Sequence, residues 1–284
     1  LSGLTWAIDN PTRNAFVPDL VGSENLTNAV ALNSVALEIT VVVGPALGGI
    51  LIPVLGMSGA YALMSGLLLI DLFVLLMMKK DVRQGVAHEQ EPPGKSLVSG
   101  LKYVWSNQTV LVLMVMAFLL NLLAAPYRYA FLPVFTRYVL DAGPTGYGMP
   151  TAMAGVGALV GGVWVVSLGN YQRKGRLLVW TSIIWPVSVV VFAMSTSYSV
   201  SMALIFVAGP TQGIVWTLIA TLILANTAQA MRGRVMGIRT GVVIGLPLGN
   251  FLAGALAEQV GAPLAQGIYA ISSIAAMLAI VAMV

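Results

Sequence analysis

The chain has 284 residues, of which 58% are hydrophobic and only 8% are charged, with a formal net charge of +4 and no cysteine. Soluble domains carry about 25% charged residues, so a surface this poor in charge must face lipid rather than water. The absence of cysteine excludes disulfides and thiolate metal sites. The basic residues form short clusters without the basic face of a nucleic-acid-binding protein, so no nucleic acid is expected as a partner.

Apolar stretches of roughly 20 residues, the length that crosses a bilayer, recur along the chain with short polar breaks. Long continuous runs favour transmembrane helices over a β-barrel, whose strands alternate in short segments. Residues 1–10 are interpreted as the end of one crossing, so the chain is expected to be a fragment that begins inside a helix. The complete crossings are predicted at 27–55, 60–78, 109–132, 148–168, 177–194, 201–224, 235–256 and 264–284.

The lysine and arginine residues are distributed unevenly between the two sides of the predicted membrane. They cluster at 13, 79–102, 173–176 and 232–239, whereas the alternate gaps at 56–59, 141–147, 195–199 and 260–263 hold none. Cytoplasmic loops carry an excess of Lys and Arg, so the basic set is predicted to be cytoplasmic. Arg128 and Arg137 lie apart from it, late in one crossing.

The longest polar stretch, 79–108, is predicted to be a cytoplasmic linker between two helical bundles. Its first part, with Pro and Gly, is typical of a flexible connection. Its second part places Leu97, Leu101, Val104 and Trp105 at helical spacing, with Lys102 off that face. This pattern indicates a short helix lying in the membrane interface; the alternative is a solvated linker followed by the start of a helix.

Several segments in chain order resemble one transporter family when they are taken together. They are DNPTRNAFVPDLV at 9–21, ALNS at 31–34, GPALGG at 44–49, GLKYVW at 100–105, LPVF at 132–135 and RGRVMG at 232–237. The combination resembles the major facilitator superfamily, and within it the branch of enterobactin exporters and macrolide-efflux proteins.

The resemblance implies an all-α membrane fold with two pseudo-symmetric six-helix halves, of which the N-terminal half is incomplete here. Residues 1–78 would be the end of helix four with helices five and six, residues 79–108 the linker, and residues 109–284 the C-terminal bundle of helices seven to twelve. A weak repeat between Gly44–Gly48 and Gly245–Gly249 agrees with parallel halves. The loop at 169–176 has Gln172 where an aspartate is usual in the family, which puts a charge-relay gate there in doubt.

A cluster of small residues, Gly44, Pro45, Gly48 and Gly49, resembles the latter part of the superfamily's antiporter signature. Gly44 and Gly48 form a face that lets two helices touch closely, and Pro45 frees a carbonyl and allows a bend. Such a face could seal one side of a cavity and still slide, which predicts a gate and hence export. The alternative is ordinary helix packing.

Charged residues at the cytoplasmic ends of two pseudo-equivalent segments form a second candidate gate. Asp9 and Arg13 precede one segment, and Arg232 and Arg234 precede the other. They are predicted to form ion pairs that hold one conformation. The alternative is that these are solvated loop charges.

Glu38 is the candidate proton carrier. If its helix enters the membrane near Ala29, nine residues at ~1.5 Å each place Glu38 ~14 Å deep. A charge at that depth is costly and usually faces a cavity or a partner, and burial favours the neutral, protonated carboxyl. Both properties suit a group that takes up and releases protons; a structural carboxylate is the alternative.

Five residues are predicted to contact the cargo: Asn121, Tyr127, Arg128, Gln212 and Trp216. The resemblance makes their segments cavity-lining, and polar groups beside aromatic rings suit an amphipathic organic molecule. Arg128 lies ~26 Å along its crossing, so it could face the cavity as a cation or extend to the outer interface.

The sequence thus predicts a monomeric transporter of the bacterial cytoplasmic (inner) membrane, surrounded by membrane lipids. It would export a small drug-like or siderophore-like molecule by alternating access and proton antiport, without cofactor or metal. An uptake or lipid-moving permease of the same fold is the main alternative. A membrane enzyme or receptor is disfavoured, because with no cysteine and a single histidine, in the linker, an enzyme would have only isolated carboxylates in its crossings. A purely structural subunit is disfavoured as well. Gly155-x-Gly157-x-x-x-Gly161 mimics a nucleotide-binding motif but lies inside an apolar crossing, which predicts helix packing instead.

Overall fold

A computed structural model describes residues 47, 51, 54–77, 93–139, 144–168, 172–228 and 231–283. Within these ranges the regular structure is helical, and seven spans are long and apolar enough to cross a membrane. Each span corresponds to one predicted crossing, so the prediction of an all-α membrane protein is confirmed. The predicted crossing at 27–55 and the partial one before it lie almost entirely outside the described residues.

From α2 onward the described helices follow one another closely along the chain. They are α1 (Val54–Met77), α2 (Pro93–Ser106), α3 (Gln108–Leu119), α4 (Leu132–Val134), α5 (Pro144–Ser167), α6 (Lys174–Ala193), α7 (Tyr198–Ala225), α8 (Arg232–Val242), α9 (Gly245–Val260) and α10 (Ala262–Met283). Three π-helical segments, π1 (Leu120–Ala124), π2 (Tyr127–Phe131) and π3 (Phe135–Val139), extend α3 and flank α4.

The span that begins with α3 does not end at residue 132, as predicted, but continues to Arg137. Pro126 and Pro133 cannot donate a backbone hydrogen bond to the preceding turn. The chain accommodates them by widening into π turns, in which the Ala125 amide donates to the Leu120 carbonyl at 2.9 Å. Such π segments occur frequently at functional sites.

The crossing predicted at 235–256 corresponds to one span, Arg232–Val260. Within this span the helix is interrupted between α8 and α9 at Val243 and Ile244. Pro247 is the physical reason, because it has no amide hydrogen and stands in the first turn of α9, where no such donor is needed.

The bundle is organised around α7, which packs against α5, α6 and α3. α6 also contacts α10, α10 contacts α9, and α9 contacts π1, so the helices form a closed set around an apolar core. Leu120, Trp185, Leu218 and Ile219 are fully buried in this core. α1, in contrast, is exposed along its length.

Glycines set the close approach of α5 and α7. A Cβ atom on Gly157 would lie 2.6 Å from Pro210 Cδ, and one on Gly209 would lie 2.6 Å from the Ala154 carbonyl oxygen. Gly161 and Gly213 meet the Pro210 and Ala158 carbonyls even more closely. Small residues allow this kind of backbone contact in membranes, so the structure agrees with helix packing for the glycine motif at 155–161.

α2 is attached to the start of α8 and to the loop before it. The Ala228 amide donates to the Tyr103 hydroxyl at 2.9 Å, and Asn107 Nδ2 donates to the Asn226 carbonyl at 3.0 Å. Gly100 leaves room for Ile238. The apolar face predicted for α2 needs one correction. Val104 is buried rather than exposed, because it lies one helical turn after Gly100 on the side of α2 that packs against the bundle.

The rest of that predicted face, formed by Leu97, Leu101 and Trp105, is exposed.

Candidate functional site

Tyr127, Gln212 and Trp216, three of the five predicted cargo-binding residues, lie together in the bundle. The Tyr127 hydroxyl donates to Gln212 Oε1 at 3.4 Å. Trp185 stands between the two aromatic residues, with ring centroids 6.2 Å from those of both Tyr127 and Trp216 in edge-to-face geometry. Tyr127, Trp185, Gln212 and Trp216 are called the aromatic–amide cluster below.

The backbone of two helices places the polar members of this cluster. Tyr127 opens π2, directly after Pro126, and is buried. Gln212 is buried on α7 next to Gly213, where α7 touches the backbone of α5 at Ala158. The cluster therefore lies beside the tightest helix–helix contact of the bundle, and its side chains are held by packing.

Trp185 is a member that the sequence did not indicate. It is fully buried on α6, and its Nε1 has no hydrogen-bond partner among the described residues. The apolar residues of α6 are spread around its circumference without a preferred side, so periodicity does not distinguish an inward face. Its contact with Tyr127 and Trp216 joins segments far apart in sequence, which only the tertiary structure reveals.

Arg128 is buried rather than extended to the membrane interface, with an exposed fraction of 4%. Its Nη2 donates to the Thr151 carbonyl of α5 at 3.3 Å, and its guanidinium carbon lies 6.0 Å from the ring centroid of Tyr129. Its Nε has no hydrogen-bond partner within the part of the chain that is described. The structure thus places a cation inside the bundle, one residue along from Tyr127 but directed to α5.

Asn121 lies elsewhere, at the contact between π1 and α9. Its Nδ2 donates to the Ala117 carbonyl of the preceding turn at 2.9 Å. A Cβ on Gly245 would come within 3.2 Å of Asn121 Cβ. The side chain is buried but does not belong to the aromatic–amide cluster.

Two further buried polar residues were not singled out from the sequence. Gln266 and Ser273 are fully buried on α10, and their seven-residue spacing, two helical turns, is the signal that could have identified them. Gln266 Nε2 donates to the Val189 carbonyl at 3.5 Å. Gln266 Oε1 and Ser273 Oγ have no hydrogen-bond partner in the described ranges.

The predicted gating residues are only partly described. Arg232 Nε donates to the Thr227 carbonyl at 3.4 Å, and Arg234 Nη1 donates to Ser99 Oγ at 2.8 Å. Both bonds connect the start of α8 to neighbouring segments. The other predicted gating and coupling residues lie outside the described residues: Asp9, Arg13, Glu38, Gly44, Pro45, Gly48 and Gly49.

The chemistry of the cluster is that of binding rather than of bond making. A hydroxyl, an amide and three aromatic rings provide hydrogen bonds and apolar contact. No nucleophile with a neighbouring base is present among these side chains.

Comparison with known proteins adds the wider context. The family model described as transmembrane secretion effector, MFS_3, matches residues 1–284. An enterobactin exporter of Citrobacter koseri is 27% identical over 243 residues, which cover 85% of this chain and 57% of that protein. Enterobactin exporters of Shigella boydii and Escherichia coli O1:K1 are each 25% identical over 243 residues, with the same coverage of 85% and 57%. The chain therefore spans a little over half the length of these relatives.

Proposed function

The chain belongs to the transmembrane secretion effector family of the major facilitator superfamily, and from this premise we propose that it is part of a secondary transporter. The transporter exports a small amphipathic organic molecule, drug-like or siderophore-like, by alternating access. The full-length relatives named above are exporters of enterobactin, which favours export over uptake or lipid movement.

The aromatic–amide cluster is the observation that carries the proposal for this chain. The Tyr127 hydroxyl and the Gln212 amide provide a small number of polar groups beside the rings of Trp185 and Trp216. Binding sites for organic molecules combine apolar and aromatic walls with few polar groups in this way. Arg128 supplies a buried positive charge nearby for an acidic group on the cargo.

Coupling to protons is proposed through Glu38, and gating through two sets of residues. Gly44, Pro45, Gly48 and Gly49 would form the sliding seal between helices. The Asp9 carboxylate would form ion pairs with Arg232 and Arg234 across the cytoplasmic side in one conformation, and Arg13 would belong to the same charged network. The orientation rests on the uneven distribution of Lys and Arg along the sequence, because cytoplasmic loops carry an excess of these residues.

We propose a monomer in the bacterial inner membrane that works without cofactor or metal.

Accumulation of a fluorescent amphipathic dye in cells that express the protein tests the function. An exporter lowers accumulation, and an uncoupler of the proton gradient restores it. Higher accumulation in expressing cells would indicate an uptake permease and overturn the proposed direction. A decrease that persists with the uncoupler would overturn proton antiport.

A further inference from the structure

A cavity of about 500 Å³ opens between α3, α6, α7 and α10 at their predicted cytoplasmic ends. Its walls are largely apolar and include Val112, Met116, Leu178, Leu222 and Met277. From Gln108 to Met116 it follows α3 over eight residues, or ~12 Å at ~1.5 Å per residue.

This cavity is separate from the aromatic–amide cluster. None of the residues that line it belongs to that cluster. Along α6, Trp185 lies seven residues beyond Leu178, which is ~10 Å deeper in the bundle. A molecule in the cavity would therefore occupy a second site.

The mouth of the cavity is polar and has basic residues beside it. Gln108 and Asn226 line it, together with Gly175 in the first turn of α6. Lys174 and Arg176 flank Gly175, and Lys174 stands one turn before Leu178 on the same helix face. None of the lining residues is acidic.

We propose that this cavity binds an anionic phospholipid of the surrounding bilayer. One acyl chain lies along the apolar walls, and the phosphate is held at the mouth by Lys174 and Arg176. The position supports a lipid, because the mouth is at the ends of four membrane-crossing helices, where headgroups lie. Basic pockets between helices on the cytoplasmic side are known to select anionic headgroups. The inference goes beyond the transport function, since it concerns a separate site.

Lipid binding to the purified protein in detergent tests the proposal. Short-chain phosphatidylglycerol is titrated against short-chain phosphatidylcholine, and binding is followed by native mass spectrometry and by the Tm. Each basic residue near an anionic lipid is worth about a 5-fold change in affinity. The double variant Lys174→Gln/Arg176→Gln is therefore expected to bind phosphatidylglycerol roughly 25-fold more weakly and to lose the preference over phosphatidylcholine. Lys102→Gln, an exposed lysine on α2, is the control and is expected to bind as before.

Gly175→Leu tests the cavity itself. A Cβ at Gly175 meets no atom within 4 Å, so the side chain narrows the mouth without a clash that would prevent folding. It is expected to weaken the binding of both lipids. Gly254→Leu, at an equally open position on α9, is the control and is expected to leave the binding of both unchanged. Equal affinity for both lipids in the unmodified protein, or undiminished binding in Gly175→Leu, would overturn the proposal. Competition by glycerol 3-phosphate as strong as that by phosphatidylglycerol would also overturn it, because the acyl chain would then be unnecessary.

Discussion

The Tyr127 hydroxyl donates to Gln212 Oε1 across 3.4 Å and so connects a π-helical turn to the middle of α7. The two residues are 85 positions apart in sequence, and both are buried. The bond is longer than the usual range of about 2.5–3.0 Å for O–H···O hydrogen bonds and is therefore weak. A cargo molecule could therefore replace either partner at a small energetic cost.

We predict that Tyr127→Phe raises the half-saturating cargo concentration for export roughly 3- to 10-fold, because one neutral hydrogen bond contributes about 0.5–1.5 kcal/mol. The packing of the ring against Trp185 is retained. Export measured against cargo concentration in proteoliposomes checks this. Tyr129→Phe, at a 48% exposed neighbour, is the control; an equal effect there would contradict the assignment.

Gly213→Ala is expected to destabilise the bundle by about 1–3 kcal/mol, the usual cost of overpacking. The added Cβ would meet the Ala158 carbonyl of α5. The Tm of the purified protein is the measurement. Gly254→Ala is the matched control, because a Cβ there meets nothing within 4 Å and alanine is the better helix former. A Tm as high for Gly213→Ala as for Gly254→Ala would refute the close contact.

Arg128→Met is expected to lower the export of an anionic cargo without lowering the Tm. Among the described residues no ion pair with a carboxylate is seen for Arg128, and a buried unpaired cation is costly. Its replacement by an apolar side chain of similar length is therefore expected to leave the Tm unchanged or raise it. Export of an anionic cargo should fall at least ~10-fold, since a charge-assisted hydrogen bond is worth about 1.5–3 kcal/mol. Export of a neutral cargo should change little. Arg137→Met, at an exposed position of the same span, is the control.

Glu38→Gln is expected to abolish uphill export and to leave cargo binding intact, because glutamine keeps the shape of the side chain but cannot release a proton. Proton flux and cargo flux in proteoliposomes are measured together. Asp71→Asn, at an exposed carboxylate of α1, should transport normally. Undiminished uphill export in Glu38→Gln would exclude it as the proton carrier.

Gly48→Leu is expected to stop export without loss of expression, because a bulky side chain would hold apart the two helices of the proposed seal. Gly66→Leu provides a matched change on α1, where a Cβ meets nothing within 4 Å. Dye accumulation and the amount of protein in the membrane are both recorded. Normal export by Gly48→Leu would contradict the gate.

The crossings could be predicted from the sequence because bilayer thickness imposes a minimum apolar length. Their ends could not: the crossing predicted to end at residue 132 continues to Arg137, with Pro133 in the first turn of α4. The break before α9 was missed for a related reason. Hydropathy averages over a window and does not register one absent amide hydrogen.

The candidate site was predictable in part. Tyr127, Gln212 and Trp216 attracted attention as polar or aromatic groups in apolar crossings, but their shared neighbour Trp185 did not. The apolar residues of α6 have no preferred side, and contacts between distant segments depend on how helices pack. Asn121 looked equally suitable in sequence, yet it bonds to its own helix at Ala117.

The attachment of α2 to the start of α8 has a mechanical consequence. Tyr103 and Asn107 tie it to the backbone at Ala228 and Asn226, and Ser99 is bonded to Arg234. If the C-terminal bundle tilts as proposed, α2 is expected to move together with the start of α8. A spectroscopic label on exposed Trp105 or Lys102 would therefore report any movement of the start of α8.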